Sequence, residues 1–547
     1  MRFILENIRR VFSSPISSAF LLALSFEHPA LSILSFFGLL PLILFIYSES
    51  KKSRVFNKSW LVGFLYFAIV LRWVLAAYPA EWAGIKNPAA ALALVLFVWL
   101  GSSAVLGFTF AIFGLGARFL ARKNTSDCLV IPALWAVSQY AGAWLFSFWS
   151  WGPAATLGPH WTLGNIGYAL VPTPLAFWSR IGGLYLLGFV AAFFNVVFAL
   201  LILKWRETIF YLKNNFSKSL LIVVGFMALI FSPFVYYDFF YSKPETQRPD
   251  FLKVILVQTN YGNFYHNALG ELWDKKRELG ELSRQPNLVV FPEGFKLFAY
   301  IGEIEEVLLK KIFPDQNRPG LIVTSTTGLS ESGPDRETRK SFLVYRDQQG
   351  KLIDRQEKNF LIPTGEFMPE LLRWMLNLVG EKAIVDVFNR QRGLISGTQA
   401  EHPVELGGYA IGVLACSGII SPTLYRNLAG KGASILVNSA SHGIFGRSPA
   451  AFAQIKGWAR MQAIANARPF LQASNGGLSY AIDADGRVIK ETYTPGVELL
   501  AAEIHPNNTK TPYTKYGDWP ILTGFLGILV YGFLGLRRRG DKNTLST

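Results

Sequence analysis

Cys416 closes an apolar run, Tyr409-Ala410-Ile411-Gly412-Val413-Leu414-Ala415, and is followed by Ser417-Gly418. That pattern reads as a buried strand delivering a thiol to a turn. The other cysteine, Cys128, lies far upstream in an apolar run, so the two do not suggest a disulfide framework. A thiol at a strand end behaves as a small hydrophobe unless a base or a cation favours the thiolate. Two upstream stretches carry such groups. Leu288-Val289-Val290-Phe291 is a second apolar run and ends in Pro292-Glu293. An acid directly after such a run is costly unless it is paired or used. Lys358 is followed by Pro363-Thr364-Gly365-Glu366.

These groups suit acyl transfer. Glu293 can take the thiol proton as Cys416 attacks a carbonyl. Lys358, with the backbone N–H of Ser417, can stabilise the oxyanion of a tetrahedral intermediate. Glu366 can keep the lysine charged and oriented, or assist proton transfer to an incoming amine. The alternative for Lys358 and Glu366 is a solvated pair on a loop, because Asp354, Arg355 and Glu357 place Lys358 in a run of charges where exposure is expected.

The elements that must position these residues alternate. Strands are expected at 252–258, 287–291, 321–327, 409–415 and 433–438, with helices at 271–282, 303–313, 422–428 and 452–467. Asp347-Gln348-Gln349-Gly350 predicts a hairpin between 341–345 and 351–356, and Asp483-Ala484-Asp485-Gly486 another between 478–482 and 487–492. Strand 469–474 completes the set. Helices between buried strands predict an α/β sandwich, whose sites gather at carboxyl ends of strands.

The rest of the chain is unlike this region. Across all 547 residues of the chain only 16% are charged, against about 25% in soluble domains. The charge-poor stretches are 14–48, 60–78, 89–119, 129–148, 183–203, 220–237 and 520–536. A span needs about 20 apolar residues. We expect about eight, with Glu27-His28-Pro29 separating the first two and Arg72 inside the third. The basic, apolar N-terminus reads as the first span rather than a cleaved signal. The net charge of +16 sits beside these spans, which marks topology rather than nucleic-acid binding. With basic segments inside, both termini are cytoplasmic and residues 239–518 lie outside. The expected domains are 1–240 with seven spans, an outer domain at 241–510, and 511–547 with the eighth span and a basic tail. The outer loop 149–182 is rich in tryptophan; Trp149 and Trp151 read either as interface anchors or as the lining of a lipid entrance.

Pro292-Glu293, Lys358 with Pro363-Thr364-Gly365-Glu366, and the strand ending in Cys416 resemble the nitrilase superfamily. With spans on both sides, the whole chain resembles that superfamily's membrane-bound branch, the bacterial apolipoprotein N-acyltransferases. Asn438 with Gly443-Ile444-Phe445-Gly446, Arg460-Met461-Gln462-Ala463 through Ala467-Arg468-Pro469, Ser474-Asn475-Gly476-Gly477, and Gln258 with Asn260 extend the likeness. The resemblance implies eight spans and an αββα nitrilase-like periplasmic domain in a bacterial inner-membrane protein. It implies Glu293 as general base, Lys358 as oxyanion-stabilising lysine, Glu366 as supporting glutamate and Cys416 as nucleophile. Asn438 and His442 become candidate substrate-binding residues. The implied reaction passes an acyl chain from a phospholipid through a Cys416 thioester to the amine of a diacylglyceryl-cysteine apolipoprotein. No metal or organic cofactor is implied, and the protein is expected to be monomeric.

Three departures stand out. The family carries an aromatic and then an acidic residue after the cysteine; here they are Ser417 and Gly418. Its span glutamate and arginine correspond to Gln139 and Gly142 after Trp135. Its Asn-Asp-Ala-Trp-Phe-Gly segment becomes Asn438-Ser439-Ala440-Ser441-His442-Gly443-Ile444-Phe445-Gly446. They leave open a related acyltransferase or amidase with another acceptor, or a silent lipid-binding relative.

Overall fold

The computed structural model describes residues 14–80, 85, 87–204, 232, 235, 251–260, 286–294, 319–329, 339–391, 393–446 and 448–544. Apart from residues 232 and 235, the span expected at 220–237 lies outside the described residues, as do the helices expected at 271–282 and 303–313.

The charge-poor stretches among the described residues form helices, since in lipid each backbone polar group must bond within its own segment. They are α1 (Ser17–Leu24), α2 (Leu40–Ser48), α3 (Lys52–Val70), α4 (Pro88–Leu120), α5 (Asp127–Trp149) and α6 (Ser179–Leu203). Four helical segments among the described residues are long and apolar enough to cross a membrane: Pro29–Ser48, Pro88–Leu120, Asp127–Trp149 and Pro174–Leu203.

The third expected span is corrected by the structure. α3 begins at Lys52, so Arg54 and Lys58 lie in its first turns rather than in a preceding loop. It ends at Val70, which puts Arg72 in a 3-10 turn, Arg72–Ala77, and not inside a span helix. The Arg72 guanidinium makes two contacts of 2.7 Å with the Glu27 carboxylate. The helix stops where it meets the α/β domain. The Val70 carbonyl accepts from Gln454 Nε2 at 2.9 Å, and the Trp73 ring packs edge-on against Phe445 at 5.0 Å.

Among the described residues, the α/β domain is a sandwich of two six-stranded sheets. In the first, β1 (Leu252–Gln258), β2 (Leu288–Val290) and β3 (Leu321–Leu329) are parallel, followed by the antiparallel β4 (Arg339–Arg346) and β5 (Leu352–Glu357). The second repeats this logic. β7 (Tyr409–Ala415), β8 (Ile435–Ser441) and β9 (Phe470–Asn475) are parallel, flanked by antiparallel β6 (Val404–Leu406) and by β10 (Tyr480–Ile482) with β11 (Val488–Glu491). β12 (Glu498–Ile504), unforeseen in sequence, returns to pair antiparallel with β1. Between the sheets, Val254, Leu256, Val290 and Val323 meet Val413, Ala415, Val437 and Leu471 in one core.

Successive strand residues face opposite ways. Leu414, Leu436 and Phe470 therefore point out of the sandwich, toward α9 (Pro422–Gly430) and α10 (Pro449–Asn466). There they join the same apolar cluster as Phe110, Trp135 and Leu184 of the spans. Two amphipathic helices, α7 (Glu370–Leu378) and α8 (Lys382–Gln391), follow the Glu366 loop; Met368 and Leu372 pack on Leu94 and Phe97 of α4. α11 (Pro512–Tyr516) leads into the final helix α12 (Trp519–Thr544).

Candidate active site

Three strand ends converge. Glu293 sits on the turn after β2, Lys358 directly follows β5 in the same sheet, and Cys416 directly follows β7 in the facing sheet. The Lys358 Nζ donates to Glu293 Oε1 at 2.9 Å and to Glu366 Oε1 at 2.7 Å. The other Glu366 oxygen accepts the Ile362 backbone N–H at 2.8 Å, which fixes the carboxylate plane. The Cys416 thiol donates to the Ser441 carbonyl at 3.4 Å and lies against the Glu293 carboxylate. The solvated loop pair is thus excluded, since the Lys358 side chain is only 3% exposed.

Burial governs the protonation states. It pushes the Cys416 thiol well above its ordinary value; Glu293 adds to this and Lys358 opposes it. Burial also raises the Glu293 carboxyl, with Lys358 opposing and Glu366 reinforcing the rise. For Lys358 burial alone would favour loss of the proton, but Glu293 and Glu366 outweigh it and hold the ammonium charged. At rest the sulfur is therefore a thiol. Beside it stands a carboxylate of raised proton affinity, suited to take its proton as a bond forms. The ammonium is a fixed positive charge in a buried site, where oxyanion stabilisation is largest.

The thiol is held in a demanding conformation. Cys416 has φ +35°, unusual for a residue with a side chain, and opens a 3-10 turn, Cys416–Ile420. The Ser417 hydroxyl donates to the Phe360 carbonyl, two residues past Lys358. Gly418 packs so closely that a β-carbon there would stand 2.7 Å from Leu414 Cβ. No side chain of any kind fits at 418 without moving the turn.

The remaining candidates fall outside this cluster. Asn438 lies on the outward face of β8, fully buried, and donates to Gln472 Oε1 at 3.0 Å. His442 is 2% exposed; its Nδ1 meets Ser474 Oγ at 3.0 Å, and burial pushes the imidazole down to about 4. Its backbone N–H donates to the Asn475 carbonyl at 2.8 Å, directly after Ser441, whose carbonyl accepts from the thiol. Trp149 packs on Phe97 of α4 at 5.4 Å. Trp151 is exposed, and its carbonyl accepts the Glu370 N–H that starts α7. Gln139 and Gly142 lie buried along α5. Sequence reasoning missed Ser441, Ile362 and the contacts of Thr156, His160, Trp161 and Thr162. The tryptophan-rich loop carried the only signal, and it named no partners.

A thiol, two carboxylates and an ammonium at the strand ends of a double-sheet sandwich, joined to apolar helices, define a membrane-anchored protein of the carbon-nitrogen hydrolase class. Residues 254–511 match the carbon-nitrogen hydrolase family profile, and residues 18–197 match the apolipoprotein N-acyltransferase N-terminal domain. Relatives named apolipoprotein N-acyltransferase span nearly the whole chain. That of Vibrio vulnificus is 24% identical over 93% of this chain and 94% of its own. That of Geobacter metallireducens is 24% identical over 97% and 96%. Together the two profiles cover most of the chain, and along nearly its whole length the chain is similar to apolipoprotein N-acyltransferases. Among solved structures, an amidase from Nesterenkonia sp. is 18% identical over 48% of this chain and 92% of its own, with a TM-score of 0.34. Saccharomyces cerevisiae Nit3, of the nitrilase superfamily, is 19% identical over 47% and 90%, with a TM-score of 0.35.

Proposed function

We propose that this protein moves an acyl chain from a membrane phospholipid onto Cys416, and then onto the N-terminal amine of a diacylglyceryl-cysteine apolipoprotein. The observation that carries this reading is the Lys358 ammonium shared by Glu293 and Glu366, beside a buried thiol that touches Glu293. In the first half-reaction the sulfur attacks the ester carbonyl and its proton passes to Glu293. Lys358 and the Ser417 N–H stabilise the oxyanion. The ester C–O bond breaks, the alcohol oxygen takes the proton from Glu293, and a lysophospholipid leaves. In the second, the amine attacks the thioester, the C–S bond breaks, and the amine's proton returns to sulfur through Glu293. Glu366 holds Lys358 in place throughout.

Both substrates keep their acyl chains in the bilayer, which is why the site is fastened to spans. The reading places residues 241–510 on the periplasmic side of a bacterial inner membrane and both termini in the cytoplasm. It treats the protein as a monomer.

The test is mass spectrometry of the full chain after incubation with phospholipid vesicles. An acyl mass on Cys416, absent in Cys416→Ala, is expected, together with transfer to a diacylglyceryl-cysteine peptide. Labelling that persists in Cys416→Ala would remove the nucleophile. Labelling without transfer would point to another acceptor.

A further inference from the structure

The outer loop between α5 and α6 does more than connect two spans. Its segment 156–162 touches both halves of the site from behind. Thr156 Oγ1 donates to the Asn359 carbonyl at 2.7 Å, next to Lys358. The Trp161 and His160 rings pack on Phe360 at 4.7 and 5.3 Å. Thr162 Oγ1 donates to the Ile420 carbonyl at 2.7 Å, and His160 Nδ1 meets Ser421 Oγ at 2.9 Å.

Those last two contacts hold the far end of the turn Cys416–Ile420. Its near end is held by the Cys416 thiol on Ser441 and by the Ser417 hydroxyl on Phe360. A non-glycine residue at positive φ persists only where its surroundings over-determine it. Here part of that determination comes from the membrane domain. The imidazole is itself seated tightly: a β-carbon at Gly158 would stand 2.5 Å from His160 Nε2. Ser421 is fully buried, so its hydroxyl has no water to turn to.

We propose that His160 is a positioning residue for the nucleophile: through Ser421 it locks the strained Cys416 turn, with Thr162 as its partner, so that the membrane domain sets the thiol's aim. This rests on the acyl-transfer reading for its main measurement, but not for its second. Misplacing a reacting atom by about 1 Å can cost about a hundredfold in rate. The claim concerns the rate of Cys416 acylation and not the affinity for lipid.

The experiment uses the full chain in phospholipid vesicles with Cys128→Ser as background. Cys416 acylation is followed by mass spectrometry, and its alkylation by iodoacetamide in parallel. His160→Ala should lower the acylation rate about ten- to a hundredfold with an unchanged KM for phospholipid. Ser421→Ala should lose a similar factor, and the double variant no more than either alone, because both remove one contact. His160→Gln, which keeps a hydrogen-bonding group, should recover much of the rate. Alkylation should quicken in His160→Ala as the turn loosens. Wild-type acylation by His160→Ala, a raised KM at unchanged rate, or losses that multiply in the double variant would each overturn the proposal. If the wild-type chain takes no acyl group, the acyl-transfer reading falls, and unchanged alkylation across the variants would then overturn the role of His160 separately. Thr162→Val, which keeps the side chain's shape, covers the case in which His160→Ala fails to fold; it should slow acylation in the same way.

Discussion

Two buried lysines stand on neighbouring elements of one sheet and face opposite fates. Lys340, on β4, donates to Glu357 Oε1 at 2.8 Å. Lys358, the next residue after Glu357, donates to Glu293 and Glu366. Adjacent residues at a strand end point to opposite faces, so Glu357 and Lys358 serve different neighbourhoods. The Lys340 pair is a one-to-one match whose carboxylate also accepts the Thr398 N–H at 3.0 Å, and no thiol is bonded to it. The Lys358 cluster has two carboxylates for one ammonium, and a thiol besides. A buried ion pair is thus poor evidence of a site in itself. An unequal charge count next to a nucleophile is much better evidence, because the surplus carboxylate is the one whose proton affinity burial can raise.

The largest effect should come from the nucleophile. Cys416→Ala should abolish the acyl-enzyme, seen as loss of the acyl mass. Glu293→Gln keeps the shape and removes the base, and should slow acylation about 10²–10⁴-fold in single-turnover assays. Lys358→Ala should cost about 10²–10³-fold, as loss of an oxyanion donor does. If Lys358→Ala stays near the wild-type rate, the contrast between the two lysines collapses.

A smaller effect concerns pH. Glu293 must be ionised to take the thiol proton, and burial raises its pKa. Acylation should therefore fail, as pH drops, at a higher pH than an ordinary glutamate would impose. Glu366 contributes to that rise, so Glu366→Gln should move the acid limb to lower pH while reducing the rate. A limb that stays put or moves upward would show that the titrating group is not Glu293. The smallest effect on rate is expected at the other lysine. Lys340→Met should leave acylation near wild type and lower the unfolding free energy by at most about 1.5–3 kcal/mol, read from chemical denaturation.

How much of this was legible beforehand differs by region. Strands of unbroken apolar residues, such as 409–415, were visible because burial on both faces leaves no room for polar residues. The site residues were visible for a related reason: Glu293 and Cys416 interrupt such runs with chemistry that a core does not need. β12 was missed, because Glu498 and Glu503 break its apolar pattern and its partner, β1, lies far upstream. α3 was misplaced because hydropathy marks the apolar stretch and not where the helix begins or docks. The basic turn Lys52–Lys58 is polar, and Arg72 gained its partner, Glu27, from a separate segment.

The sequence by itself determined the inventory: apolar runs long enough for helices in lipid, alternating elements for a sandwich, and four side chains whose types suit acyl transfer. It also carried the departure at Ser417 and Gly418. Only the tertiary structure decided which carboxylates share Lys358, that the Cys416 turn leaves no space at 418, and that Asn438 turns away from the site. It also decided that a loop between two spans reaches the nucleophile's turn. Residue type is local, whereas proximity follows from strand order and from the packing of one layer on the next. Cys416 meets Glu293 because two sheets face each other, and His160 meets Ser421 because the sandwich rests on the spans.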